Sequence, residues 1–149
     1  MVSVNIRDRI VEVLEKGYLL SLGTSDSGGV WVADVIYVFD KKLNIYWMSN
    51  PTFRHSQAIL EHCMVAGTIT VSKSHEDDLG IQLTGVAEQI KGVSFALIKQ
   101  HLRKRGRKVP KRVIDILLEE YHWYRLTPIK IELIDEKNFG FSKQELCLK

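Results

Sequence analysis

The chain has 149 residues, 45% of them hydrophobic and 26% charged. That is the profile of one globular domain, able to bury about two-thirds of its unfolded surface without disulfides. No apolar run approaches the roughly 20 residues that span a bilayer, and the opening "MVSVNIRDRIVEVLEKG" mixes charge into an amphipathic pattern unlike a secretory leader. The net charge of +3 is local: seven of the 21 Lys and Arg residues fall in 103–112, leaving 14 basic against 18 acidic groups elsewhere, a sum of −4. Such a balance argues against a chain built throughout to coat nucleic acid.

In chain order, residues 5–16 read as a helix: Asn5 can cap it, Ile6, Ile10, Val13 and Leu14 share a face, and Gly17 stops it. "YLLSLGT" (18–24) reads as a strand, "SDSGG" (25–29) as a turn, and "VWVADVIYVF" (30–39) and "LNIYWMS" (43–49) as a hairpin around "DKK". A helix over about 51–61 follows. Strands are expected at 64–71 and 81–90 around the polar loop "SKSHEDDLG", helices over 92–120 broken near Gly106 and Pro110, and closing strands at 122–135 and 139–148. Consecutive apolar residues such as Val35, Ile36, Tyr37 and Val38 want cover on both faces. The expected class is mainly β: a barrel of about six to seven mostly antiparallel strands with helices packed outside it. An open α+β sandwich is the alternative.

The most informative stretch is "YWMSNPTFRHSQAIL" (46–60). With Asn50 as cap and Pro51 in the first helical position, Thr52, Arg54, His55 and Ser56 gather at a helix start, where free N–H groups favour an anion such as phosphate. Arg54 adds a planar fork for two oxygens. The competing reading is a well-capped helix with an exposed arginine. Two cations at a helix N-terminus are mildly unfavourable, by about 0.3–1 kcal/mol, and ask for a compensating partner.

The run "RKRGRKVPKR" reads as a patch for nucleic acid, a second anion or a membrane surface, or as the solvated ends of two helices, and it lacks the interleaved aromatics of single-strand binders. "SHEDD" (74–78) reads as a cation grip or an exposed acidic loop. Five histidines and two cysteines, Cys63 and Cys147, match no zinc spacing, no C-x-x-C and no metal site. Two ordinary thiols fit a reduced cytoplasmic setting. There is no G-x-S-x-G, P-loop or G-x-G-x-x-G, so no catalytic residue is assigned.

The order of these pieces resembles the FMN-binding split-barrel superfamily of pyridoxamine phosphate oxidase, and "TFRHSQAI", "VAGTI" and "IKIELIDEKNFGFSKQ" look closest to its small YhbP-like branch. The resemblance runs from about Tyr18 to the C-terminus. It implies a split β-barrel and puts Arg54-His55 where the family often has Arg-Lys. "GIQLTGVAEQI" is similar to the strand ending in Gly, and "WYRLTPIKIELID" to the closing strand.

This chain has Phe53 where a serine precedes that pair, Gln82 two residues beyond the position of the flavin-contacting glutamine, and Ile134 in place of a tryptophan. "NFGFSK" stands where an Arg-His signature would anchor pyridoxal phosphate, so pyridoxamine phosphate oxidation is not expected.

What the resemblance implies is FMN as cofactor, with backbone groups of Ala33, Asp34, Val35, Met48 and Ser49 at the flavin rim and Thr52, Arg54 and His55 at the phosphate. Gln82 and Trp123 of a second subunit would close the site. The expectation is a cytoplasmic homodimer with the flavin at the subunit interface, acting as an oxidoreductase on a small molecule, with no membrane partner. A deazaflavin or haem ligand, or a non-enzymatic anion or nucleic-acid module using 103–112, is the alternative.

Overall fold

The computed structural model describes residues 3–106 and 122–148. Its elements are α1 (Ile6–Lys16), β1 (Leu19–Asp26), β2 (Gly29–Phe39), β3 (Ile45–Ser49), α2 (Arg54–Glu61), β4 (Met64–Thr70), β5 (Leu79–Ile90), α3 (Phe95–Lys104), β6 (His122–Asp135), α4 (Glu136–Phe139) and β7 (Gln144–Leu146). The strands are hydrogen-bonded in the order β3-β2-β1-β4-β5-β6-β7, and β3 also pairs with β6. All the pairings are antiparallel, so β1 to β6 form a closed six-stranded barrel with β7 as an extra strand.

Alternation sets what faces inward. Leu20 and Leu22 of β1, Val65 and Ile69 of β4, Ile81, Leu83 and Ala87 of β5, and Tyr124, Leu126, Ile131 and Leu133 of β6 fill one buried cluster. Trp47 of β3 stacks on Tyr124 at 5.9 Å between ring centroids. Ile10, Val13 and Leu14 of α1 and Ile59 of α2 belong to the same cluster. These two helices therefore pack their apolar faces against the core that fills the barrel. The outer face of β2, β3 and β6 is covered by α3, where Val38, Tyr46, Leu97 and Trp123 form a second cluster. This is the two-sided cover that the consecutive apolar residues of β2 required.

Strand β6 serves three neighbours. It pairs with β5 along 123–135, with β3 through 122–126, and with β7 through 131–133. The β2–β3 ladder holds just three pairs, Phe39↔Ile45, Val38↔Tyr46 and Tyr37↔Trp47. Beyond Tyr37 and Trp47 the strands part, leaving the 30–36 stretch of β2 with one edge outside any ladder.

Several expected boundaries moved. Ser25 and Asp26 extend β1, and the turn tightens to Ser27 and Gly28, whose N–H donates to the Asp26 carboxylate at 2.8 Å. The expected last strand, 139–148, is reduced to β7 because α4 occupies its approach. The buried Asp135 accepts from Arg9 Nε and Asn138 Nδ2, both at 2.7 Å, which fixes a helical turn there, and Gly140 ends it at φ +61°. The second part of the expected 92–120 helical region lies outside the described residues.

The ladder between β5 and β6 shifts register at Thr84/Gly85. A Cβ on Gly85 would overlap the carbonyl oxygen of Thr127 and come within 2.9 Å of the Pro128 Cα, both backbone atoms that cannot rotate away. Gly85→Ala is expected to destabilise the fold by about 2 kcal/mol, read as a lower urea midpoint at unchanged slope.

Candidate functional site: the opening between β2 and β3

Asn50 and Pro51 decide where α2 begins. The Asn50 side chain accepts from Thr52 N at 2.9 Å and from the Thr52 hydroxyl at 2.8 Å, and the Phe53 N–H donates to the Asn50 carbonyl at 3.1 Å. Asn-Pro therefore closes a turn, a role these residues favour, and the helix starts three residues later than expected. Phe53 occupies the N-cap position without a side-chain cap, and the first turn is Arg54, His55 and Ser56 with no acidic residue. Backbone N–H groups at such a start have no intrahelical acceptor.

The side chains there divide sharply. His55 is buried, shares a 2.8 Å hydrogen bond between its Nε2 and Ser49 Oγ, and is pushed below its ordinary pKa of 6.5 by burial. It is therefore neutral at pH 7, and ties the helix start to the end of β3. Ser56 is 1% exposed, and its hydroxyl has no hydrogen-bond partner among the described residues. Arg54 lies outside, with Nε and Nη2 at 3.2 and 3.4 Å from the two oxygens of Asp26 and its guanidinium 4.5 Å from the centre of the Trp31 ring. The Arg54 hydrogen bond holds the Asp26 carboxyl below the usual range. Two nitrogens of the fork, Nε and Nη2, are engaged with Asp26.

The backbone of Ala33, Asp34 and Val35 and that of Met48 and Ser49 form the two lips of the opening, since neither stretch continues the β2–β3 ladder. The Asp34 side chain turns to the outer barrel face, where it accepts from Ser21 Oγ at 2.6 Å. Gln82 is on that outer face too, accepting from Lys143 Nζ at 2.9 Å, away from the α2 start. Trp123 is 7% exposed beneath α3, edge-on to His101 at 5.4 Å. The structure thus brings Ser49, Thr52, Arg54 and His55 together with the two lips, and leaves Gln82 and Trp123 apart from them within one chain.

Sequence reasoning missed three participants. Asp26 and Trp31 hold the Arg54 guanidinium, and nothing in their local pattern announces it. Lys104, read as part of a solvated basic run, is turned inward: its Nζ is buried and lies 3.5 Å from the centre of the Tyr37 ring, at the last β2–β3 pair. Its spacing from Leu97 and His101, four and then three residues, was the signal that could have found it. Ser56 Oγ beside the α2 start, and Trp47 Nε1 and Lys104 Nζ at the last β2–β3 pair, are buried without a hydrogen-bond partner among the described residues.

No protein-family model matches the chain. It is 31% identical over 84 residues to a UPF0306 protein of Pasteurella multocida, a match spanning 55% of this chain and little more than half, 56%, of that protein. Over 141 residues it is 28% identical to the UPF0306 protein YhbP of Escherichia coli, covering 91% of this chain and 88% of that one. Among solved structures, a provisionally named pyridoxamine 5′-phosphate oxidase of Listeria innocua superposes with a TM-score of 0.66 at 13% identity, over 87% of this chain and 98% of its own. The chain has the split-barrel fold and is similar to YhbP over nearly its whole length. The haem storage protein HutZ of Vibrio cholerae shares the split barrel, with a TM-score of 0.63 at 18% identity over 84% of this chain and 91% of that one. Among the described residues of this split-barrel chain, no helix is long and apolar enough to cross a membrane.

A histidine kept neutral by burial has a defined linkage. The unfolded imidazole takes up a proton at pH values where the folded one does not, so stability falls as pH drops through 6.5 toward the lower folded pKa. His55→Gln is expected to lose part of that acid slope, measured as the difference between the two proteins' urea midpoints from about pH 7 down to about pH 5.

Proposed function

We propose that the chain binds FMN and acts as a flavin-dependent oxidoreductase on a small molecule, as a homodimer whose second subunit covers the flavin. The observation that carries this reading is the α2 start: a helix N-terminus with neither cap nor carboxylate, a buried serine hydroxyl without a partner and an arginine beside it, at the mouth of two parted strands. A phosphate monoester suits all three. The residues present fit the group, since the orphaned donors Ser56 Oγ and Trp47 Nε1 lack acceptors that a phosphate and a polar ring edge possess.

In this reading the N–H groups of α2, the Ser56 hydroxyl and Arg54 hold the phosphate, with Arg54 shared between it and Asp26. Thr52 shapes the turn that presents them. His55, neutral and bonded to Ser49, positions the helix start rather than lending charge. Backbone groups of Ala33, Asp34, Val35, Met48 and Ser49 meet the polar rim of the ring. Bound flavin supplies the electron-transfer chemistry, and the protein supplies orientation and exclusion of water. Haem, the ligand in the description of HutZ, needs an axial side chain. Of the two histidines that the described residues place at the opening, His55 has its Nε2 committed to Ser49, and His122, opposite Ser49 in the β3–β6 ladder, has its Nδ1 3.2 Å from Gln89 Nε2.

The dimer reading rests on the outer face of β1, β2 and β4. Val30, Val32 and Met64 are 84%, 66% and 49% exposed there, around a hollow of about 350 Å³. A patch of this kind wants a partner surface. A second copy is the occupant we favour, because Gln82 and Asp34 extend the same face with polar groups and would come with it. Trp123, covered within its own chain, is set aside from that role. The exposed free thiols of Cys63 and Cys147 accord with a cytoplasmic location.

Arg54→Ala is expected to raise the Kd for FMN about tenfold or more, the value of one charge-assisted hydrogen bond, in a fluorescence-quenching titration. An unchanged Kd in a folded variant removes the phosphate assignment. Val32→Lys is expected to convert the sedimenting species from dimer to monomer at micromolar concentration. A wild-type chain that sediments as a monomer ends the interface reading.

A further inference from the structure

Among the described residues Lys104 has no hydrogen-bond partner to account for its burial. It ends α3 on the buried side of the helix, following Leu97 and His101, and its ammonium lies against the face of Tyr37. Burial pushes its pKa down to about 8, so the fold bears a cost for charging it. The contact with the aromatic face offsets part of that cost. A methionine would fill the same volume without it. The position supplies the explanation. Tyr37 and Trp47 form the last pair before β2 and β3 separate, so the amine stands at the foot of the opening, beside Trp47, whose Nε1 is likewise without a partner.

We infer that Lys104 is a ligand-facing cation: its ammonium group, held on the Tyr37 ring at the foot of the opening, faces the ring of the bound flavin and favours its reduced, anionic form. This rests on the flavin reading above and assigns within it a residue from outside the phosphate cradle. The electrostatic logic is direct. Two-electron reduction with uptake of one proton leaves the ring with one more negative charge than the oxidised form. An unpaired ammonium in a water-poor recess stabilises that charge more than it stabilises the neutral oxidised ring. Tyr37 acts as a positioning residue. Its hydroxyl donates to the Leu14 carbonyl at 2.8 Å, which fixes the ring that the amine rests on.

The test uses the full chain as wild type, Lys104→Met and Lys104→Arg, each loaded with FMN and titrated with dithionite against a reference dye to obtain the midpoint potential. Lys104→Met is expected to melt no lower than wild type, because it removes an unpaired buried amine. It is also expected to bind oxidised FMN about as well, while losing about tenfold in preference for the reduced form, a fall of about 30 mV for a two-electron couple. Lys104→Arg is expected to recover most of that loss. If Lys104→Met fails to fold, Lys104→Gln carries the same expectation for the potential. A potential unmoved by neutralising Lys104 overturns the assignment while leaving the flavin site intact, and a lower melting temperature with an unmoved potential marks a merely structural lysine. A wild-type chain that does not retain FMN overturns the flavin reading, and this inference with it.

Discussion

Everything distinctive in this molecule depends on how β3 is shared. Its 45–49 stretch pairs with β6 along its full length but with β2 through three residues at one end only. An antiparallel barrel normally satisfies both edges of every strand. Here the closure is carried by β6, long enough to pair with β3 in its first part and β7 in its last. β2 is thereby released to diverge. The separation leaves backbone polar groups along 30–36 on an edge that something other than a ladder must satisfy, and it is this edge that turns a packed barrel into a candidate receptor.

The start of α2 converts that opening into a site with a sign. Asn50 spends its hydrogen-bonding capacity on the turn itself and the Pro51 carbonyl accepts from Gln57 Nε2 at 2.6 Å, so the helix begins without a cap at Arg54. The usual remedy for a bare start is a capping hydroxyl or a first-turn carboxylate. The hydroxyl that is present, Ser56, is buried and caps nothing, while the Asp26 carboxylate, at the end of β1, is engaged with Arg54. The His55–Ser49 bond holds this arrangement against the end of β3, and burial keeps its imidazole from adding charge. The positive character of the site therefore comes from backbone and Arg54, which suits a ligand that arrives with its own negative charge.

Much of this was legible because it was local. β6 reads over 122–135 in both sequence and structure, since an alternating apolar pattern longer than most strands has few other uses. The N-terminal helix and its Asn5 cap are as read, the side chain accepting from Asp8 N at 3.0 Å. The misreadings mark where local rules compete. Asn followed by Pro can open a helix or close a turn, and the choice between them was made by the Thr52 hydroxyl. The final strand lost its first half to α4 because Asp135 answers to Arg9, a residue on the first helix. Lys104 was hidden by its neighbours: among several basic residues, the one that turns inward is identified by helix phase, which depends on where α3 begins. Gln82 was read as near the position of a flavin-contacting side chain, but it lies on the outer face beside Lys143, and which face of a strand is the outer one is a distinction alternation cannot make alone.

The seam that closes the barrel also has a temporal side. β1 with β2, β2 with β3 and β4 with β5 are each short-range hairpin-like pairings that a nascent chain can form early. β3 with β6 joins residues 45–49 to 122–126, across everything the chain places between them. Contacts of such separation are reached slowly, because the loop must be closed before the ladder rewards it. Until then β3 presents an unpaired apolar edge containing Tyr46 and Trp47, the feature through which strands recruit the wrong neighbour. The sharing of β3 that creates the opening thus also makes closure a late event in folding, and the interval before it the time at which this chain is most exposed to aggregation.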